Sequence, residues 1–174
     1  SLPNTLTNLE ALTHLDLSTN KFSGSYPLST TVMARLTYLF LANNNFDVGP
    51  IPNYSGLSKL KELSLKSTQR TGTIATYFGD FTDMVLLDLH NNELSNKIPS
   101  ELGNLVNLKY LLLNDNNLTG SIPDSFSSLA KIEMVLLDKN SISGNANPLC
   151  GATGPQGLSR FSSDCNSSEV SCTC

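Results

Sequence analysis

The chain has 174 residues, 39% of them apolar and 15% charged, with 11 Lys and Arg against 15 Asp and Glu for a formal charge of −4. That balance argues against a nucleic-acid surface, which needs a basic stripe, and no apolar run is long enough to span a bilayer. The length suffices for one sizeable core.

Read in chain order, Leu2, Pro3 and Leu6 stand at the same offsets before Leu9 that Ile98, Pro99 and Leu102 hold before Leu105. The chain therefore opens inside a repeating unit, with a partial repeat over 1–8, and further repeats, a cap or a partner would cover that open end. Leu-rich segments then begin at Leu9, Met33, Leu57, Phe81, Leu105 and Leu129, 24 residues apart. The fifth is the best kept, with Leu105, Leu108, Leu111, Leu113, Asn116, Leu118, Gly120, Ile122 and Pro123 in the string LxxLxxLxLxxNxLxGxIP. The second carries one inserted residue between Phe46 and Gly49, and the fourth has Asn96 in place of Gly. In the third, Thr68, Arg70 and Ala75 replace the expected Asn, apolar residue and Pro. That coil is expected to be the least regular and a place of local mobility or contact.

This string resembles the plant-type leucine-rich-repeat family, and the resemblance covers residues 1–148. A period near 24 residues is the mark of a solenoid, in which no coil buries its apolar face alone and stability comes from stacking neighbours. The predicted fold is an α/β-type repeat solenoid, a curved superhelix with a parallel concave sheet and an irregular or 3-10 convex side. In Leu15-Asp16-Leu17 and its equivalents, period-two alternation buries the leucines and turns the middle residue outward. Asn20, Asn44, Asn92, Asn116 and Asn140 carry donor and acceptor atoms with which to satisfy backbone groups where the chain leaves each strand. Plant-type relatives usually begin with a Cys-paired cap, which this sequence lacks.

All four cysteines, Cys150, Cys165, Cys172 and Cys174, follow the last repeat, so 149–174 reads as a Cys-rich C-terminal cap held by disulfides. Four thiols allow three pairings, and Cys172-x-Cys174 fits zinc-ligand spacing poorly. The tail resembles the Cys-rich ending of leucine-rich-repeat proteins from diatoms and related algae, in which the cluster continues with further cysteines. Sequons at Asn53, Asn117 and Asn166 are candidate glycosylation sites, with Asn117 placed outward beside the Asn of its repeat.

Function in such a scaffold lies on the concave sheet. Its outward positions form three rows: His14, Tyr38, Glu62, Leu86, Tyr110 and Met134; then Asp16, Phe40, Ser64, Asp88, Leu112 and Leu136; then Ser18, Ala42, Lys66, His90, Asn114 and Asp138. Neighbours in a row lie about 4.8 Å apart. The candidate ligand-binding set is Tyr38, Phe40, Lys66, Leu86, His90, Tyr110, Leu112, Met134 and Leu136, because an exposed apolar area edged by charge marks protein contacts. The competing account of Tyr110 and Leu112 is strand propensity alone.

Catalytic patterns fare poorly on the same map. Asp88 and His90 point the same way about 6.6 Å apart by strand rise, too far for a direct hydrogen bond, and no activated Ser or Cys accompanies them. Asp16 and Asp88 are about 14 Å apart, not a glycosidase pair. Phosphate-cradling loops and metal-ligand clusters are missing too, so no enzyme activity, cofactor or metal is expected. The sequence points to a secreted or cell-surface binding module for another protein or peptide, or, as the resemblance also implies, a wall polysaccharide, with neither nucleic-acid binding nor membrane insertion by this segment. The alternative is a non-catalytic structural subunit of an extracellular assembly.

Overall fold

A computed structural model of the protein describes residues 2–25, 32–150, 154–164 and 170–171. Seven three-residue strands, β1 (His14–Asp16), β2 (Tyr38–Phe40), β3 (Glu62–Ser64), β4 (Leu86–Asp88), β5 (Tyr110–Leu112), β6 (Met134–Leu136) and β7 (Arg160–Ser162), pair in chain order into one parallel sheet. The register is constant, so His14, Tyr38, Glu62, Leu86, Tyr110, Met134 and Arg160 stand in one row. The central residue of each strand points into the core, where Leu39, Leu63, Leu87, Leu111 and Val135 are fully buried, as the period-two pattern requires.

Where the chain leaves these strands, a second set of short parallel strands stacks along the solenoid: Gly49–Pro50, Arg70–Gly72, Glu93–Lys97, Asn117–Ser121, Ser141–Asn145 and Val170–Ser171. The convex side carries 3-10 segments at Asn4–Asn8, Thr76–Asp80, Ser100–Asn104 and Asp124–Ser128. These pack closely. A Cβ built on Gly79 would stand 2.4 Å from the Glu101 carbonyl oxygen, and one on Gly103 would stand 2.5 Å from Ser125 Cβ. Asn96, at φ 67°, takes the left-handed turn that Gly24, Gly72, Gly120 and Gly144 supply in other coils; among non-glycine residues Asn tolerates that region well.

The repeated asparagines tie coil to coil. Nδ2 of Asn44 donates to Leu41 O (3.0 Å) and Ala42 O (3.2 Å) in its own coil and to Leu17 O (2.9 Å) in the preceding one, while its Oδ1 accepts from the Phe22 N–H. Asn92, Asn116 and Asn140 repeat the arrangement. At the degenerate third coil, the Thr68 hydroxyl donates only within its own coil, to Leu65 O at 2.6 Å. The reach into the second coil passes to Arg70, which is 3% exposed and donates to the carbonyls of Pro50 and Asp47 around the inserted residue. Insertion and degeneracy thus offset one another, and β3 keeps its register with both neighbours.

Strand β7 arises in the segment expected to be a separate cap. Its spacing from β6 is 26 residues rather than 24, as the pairing of Met134 with Arg160 shows. Leu158 and Phe161 pack against the core, and the Asp164 carboxylate accepts the backbone N–H groups of Lys139 and Asn140, each at 2.7 Å. In the two preceding coils, the corresponding N–H groups, those of Asn91 and Asn92 and of Asp115 and Asn116, bond to backbone carbonyls of the next coil. Cys150 is disulfide-bonded. Cys165, Cys172, Cys174 and Asn166 lie outside the described residues.

Candidate functional site

The concave sheet brings the expected rows together. Tyr110 stands between Leu86 and Met134, and Leu112 between Asp88 and Leu136, by strand register. Leu86, Tyr110, Leu112, Met134 and Leu136 are each partly exposed, which makes one contiguous apolar area over β4 to β6. Arg160, a position that the sequence pattern did not reveal, borders it beside Met134. At the other end of the sheet, Tyr38 stacks on His14 with ring centroids 4.2 Å apart, and Phe40 lies two residues along on the same face.

Tyr110 is held from the side. Its hydroxyl donates to Glu133 Oε2 at 2.9 Å, while Lys109 Nζ donates to Glu133 Oε1 at 2.7 Å. The Lys109 bond first and the Tyr110 bond second hold the Glu133 carboxyl below its ordinary range, and the same carboxylate raises the Lys109 and Tyr110 values. Because the folded-state value of Glu133 is depressed, whatever these bonds contribute is present above its unfolded value and is lost as pH falls through the folded one. In an acid titration followed by carbon NMR, the Glu133 midpoint is expected below about 4.3, the usual glutamate value. Lys109→Met should move it upward; an unchanged midpoint would show that the contact is not formed in solution.

The centre of the sheet corrects one expectation. His90 Nδ1 lies 2.6 Å from Asp88 Oδ1, and the His90 N–H donates to the same oxygen at 3.2 Å. Strand rise measures backbone separation, but the strand ends at Asp88, so the chain turns and the carboxylate folds over the next residues. An ionised carboxylate only accepts, so Nδ1–H is the donor. Ser64 Oγ donates to the other oxygen, Asp88 Oδ2, at 2.8 Å. This places the carboxylate between hydroxyl and imidazole. In a nucleophilic triad the imidazole must sit in the middle to take the hydroxyl proton, so this order fixes side chains without activating Ser64. Lys66 and Asn114 flank His90 in the same row; Asn114 Oδ1 is buried with no hydrogen-bond partner. Among the described residues, no group of three His, Cys, Asp or Glu is placed to hold a metal, and no helix is long and apolar enough to cross a membrane.

The family model for the leucine-rich repeat matches residues 11–32, 84–105 and 107–129. No curated protein matches the sequence. Among solved structures, the plant peptide hormone receptor RGFR1, in complex with RGF2, is 30% identical with a TM-score of 0.83, over 92% of this chain and 26% of that one. A TDR receptor is 34% identical with a TM-score of 0.82, over 93% of this chain and 28% of that one. The chain is a plant-type leucine-rich-repeat protein. This leucine-rich-repeat protein is similar as well to the ectodomain of the Arabidopsis receptor kinase HAESA, solved with an N-terminally extended IDA peptide hormone. There the identity is 31% and the TM-score 0.82, over 94% of this chain and 28% of that one. The chain thus spans only about a quarter of the length of these three receptors.

Proposed function

We propose that this leucine-rich-repeat protein is an extracellular module that binds a protein or peptide on its concave sheet, without chemistry of its own. The observation that carries the reading is the contiguous apolar area of Leu86, Tyr110, Leu112, Met134 and Leu136, with its one aromatic ring fixed by Glu133. A ring already held in place loses little freedom on binding, which favours affinity. Phe40 and Tyr38 supply a second aromatic contact, and Lys66 and His90 supply polar ones between the two. Seven strands about 4.8 Å apart give a face about 29 Å long, enough for an extended segment of about nine residues. Two of the similar receptors are described with peptide hormones, RGF2 and IDA, which supports a ligand of this class. Within the same reading, a disulfide that includes Cys150 staples the C-terminal cap, and the exposed Asn53 and Asn117 carry glycans away from the sheet.

The test begins with lysine cross-linking mass spectrometry on material from the native source, since Lys66 lies on the concave face and Lys109 at its edge. Links from these two lysines to another protein identify the partner. Phe40→Asp and Tyr110→Asp are then expected to weaken that partner at least about tenfold each, because a carboxylate would have to be desolvated in the contact. Undiminished binding by both variants would refute the concave surface. Links confined to other faces would instead favour a structural subunit of an extracellular assembly.

A further inference from the structure

An open notch of about 470 Å³ lies where the second, third and fourth coils leave their strands, beginning one residue beyond Ala42, Lys66 and His90 of the concave rows. Its size falls within the range of about 300–1,000 Å³ usual for small-ligand pockets. Its lining side chains include Asn43, Asn45, Ser67, Gln69, Asn91 and Glu93, beside two of the inter-coil asparagines. We propose that this notch is a binding site for a neutral saccharide, distinct from the concave protein-binding face.

The chemistry of the lining selects the ligand. Asn45, Gln69 and Glu93 make no side-chain hydrogen bond to other described residues. Asn43 donates weakly to Thr19, at 3.5 Å, and Asn91 donates to Ser67 Oγ at 2.7 Å, and in both the side-chain oxygen stays available. Carboxamides present donors and acceptors together, which matches hydroxyl groups, since each of those is also both. An anion would meet Glu93, and the nearby guanidinium of Arg70 is turned inward onto backbone carbonyls. The lining contains no apolar side chain for a greasy ligand, and the metal-ligand grouping is missing among the described residues.

The site exists because the third coil departs from its neighbours. Asn43, Ser67 and Asn91 take the left-handed backbone found at this position in each of the six coils, but in the third coil Gln69, two residues on, adds a further such residue at φ 60°. The equivalent Asn45 and Glu93 do not share it. A glutamine held there is unusual. Its carbonyl accepts from Gly49 N–H, at 3.4 Å, and so anchors it to the bulge made by the inserted residue of the second coil. The side-chain contacts Asn43 to Thr19 and Asn91 to Ser67 each join two coils, whereas Ser67 and Asn43 make no such contact with each other, and the notch lies across that gap.

The experiment is saturation-transfer NMR on the 174-residue chain with cellobiose, maltose and xylobiose, and with digalacturonate as the charged comparison. At least one neutral disaccharide is expected to bind, and Gln69→Gly and Asn45→Ala are each expected to weaken it about tenfold, the loss of one to two hydrogen bonds. Gln69→Gly keeps the left-handed backbone comfortable, and superimposable amide spectra establish that either variant is folded. A hexasaccharide of the same sugar that binds no tighter than the disaccharide assigns a free sugar; much tighter binding assigns a polymer chain. No transfer to any neutral disaccharide, transfer unchanged in both variants, or preference for digalacturonate would overturn the proposal.

Discussion

Replacing Asn116 by alanine is expected to lower the unfolding free energy by about 3 kcal/mol or more. Asn116 Oδ1 accepts the N–H of Leu94, 3.0 Å away in the coil before, and Nδ2 donates to Leu89 O at 3.0 Å and Leu113 O at 3.1 Å. Both Asn116 and Leu94 are buried, so alanine leaves a donor and carbonyl oxygens without these partners, and each orphaned group costs about 1–3 kcal/mol. Asn20 is the control. It is exposed and, among the described residues, its side chain bonds only to Leu17 and Ser18 in its own coil, so Asn20→Ala should cost less than about 1 kcal/mol. Urea unfolding separates the two, and equal midpoints for Asn116→Ala and Asn20→Ala would show that the inter-coil asparagines do not carry this load. The transition of Asn116→Ala should also broaden, because coils interact only with their neighbours and a weak interface divides the cooperative unit.

Gly79→Ala should destabilise by about 1–3 kcal/mol through overpacking. The added methyl would meet Glu101 O at 2.4 Å, Glu101 Cβ at 2.7 Å and the Glu101 carbonyl carbon at 2.8 Å, and backbone atoms cannot swing aside as a side-chain tip can. Gly103→Ala meets Ser125 in the same manner. Gly49→Ala has nothing within 4 Å of its new methyl and should fall within about 0.5 kcal/mol of the parent. For a chain of this length, a loss of about 2 kcal/mol lowers Tm by roughly 4–8 °C. Equal Tm values for Gly79→Ala and Gly49→Ala would mean that the convex segments are not in this contact.

The 24-residue period located β1 to β6 because alternation within a strand has a fixed period, and stacking converts equal spacing into rows. The candidate concave residues followed from that alone. Strand β7 escaped because its spacing lengthens to 26 residues and only Leu158 and Phe161 mark its core face, so Arg160 was not placed beside Met134. Arg70 looked like a defect in the pattern; its burial depends on carbonyls of another coil left open by an insertion about twenty residues earlier. The bond between Asp88 and His90 depends on where a strand ends, which periodicity does not specify to the residue. Gly79 and Gly103 share the repeat spacing, but nothing in a glycine's identity says whether it serves a turn or a close approach.

That close approach bears on the curvature of the whole arc. On the concave side, backbone pairing sets the step between coils at about 4.8 Å, whereas on the convex side the step is set by whatever volume stands between neighbouring backs. Glycine at 79 and 103 lets those backs close up and flattens the arc, while a bulkier residue would act as a wedge and tighten it. The radius against which a ligand must fit is therefore governed from the far side of the molecule, by the presence or absence of one methyl group per coil.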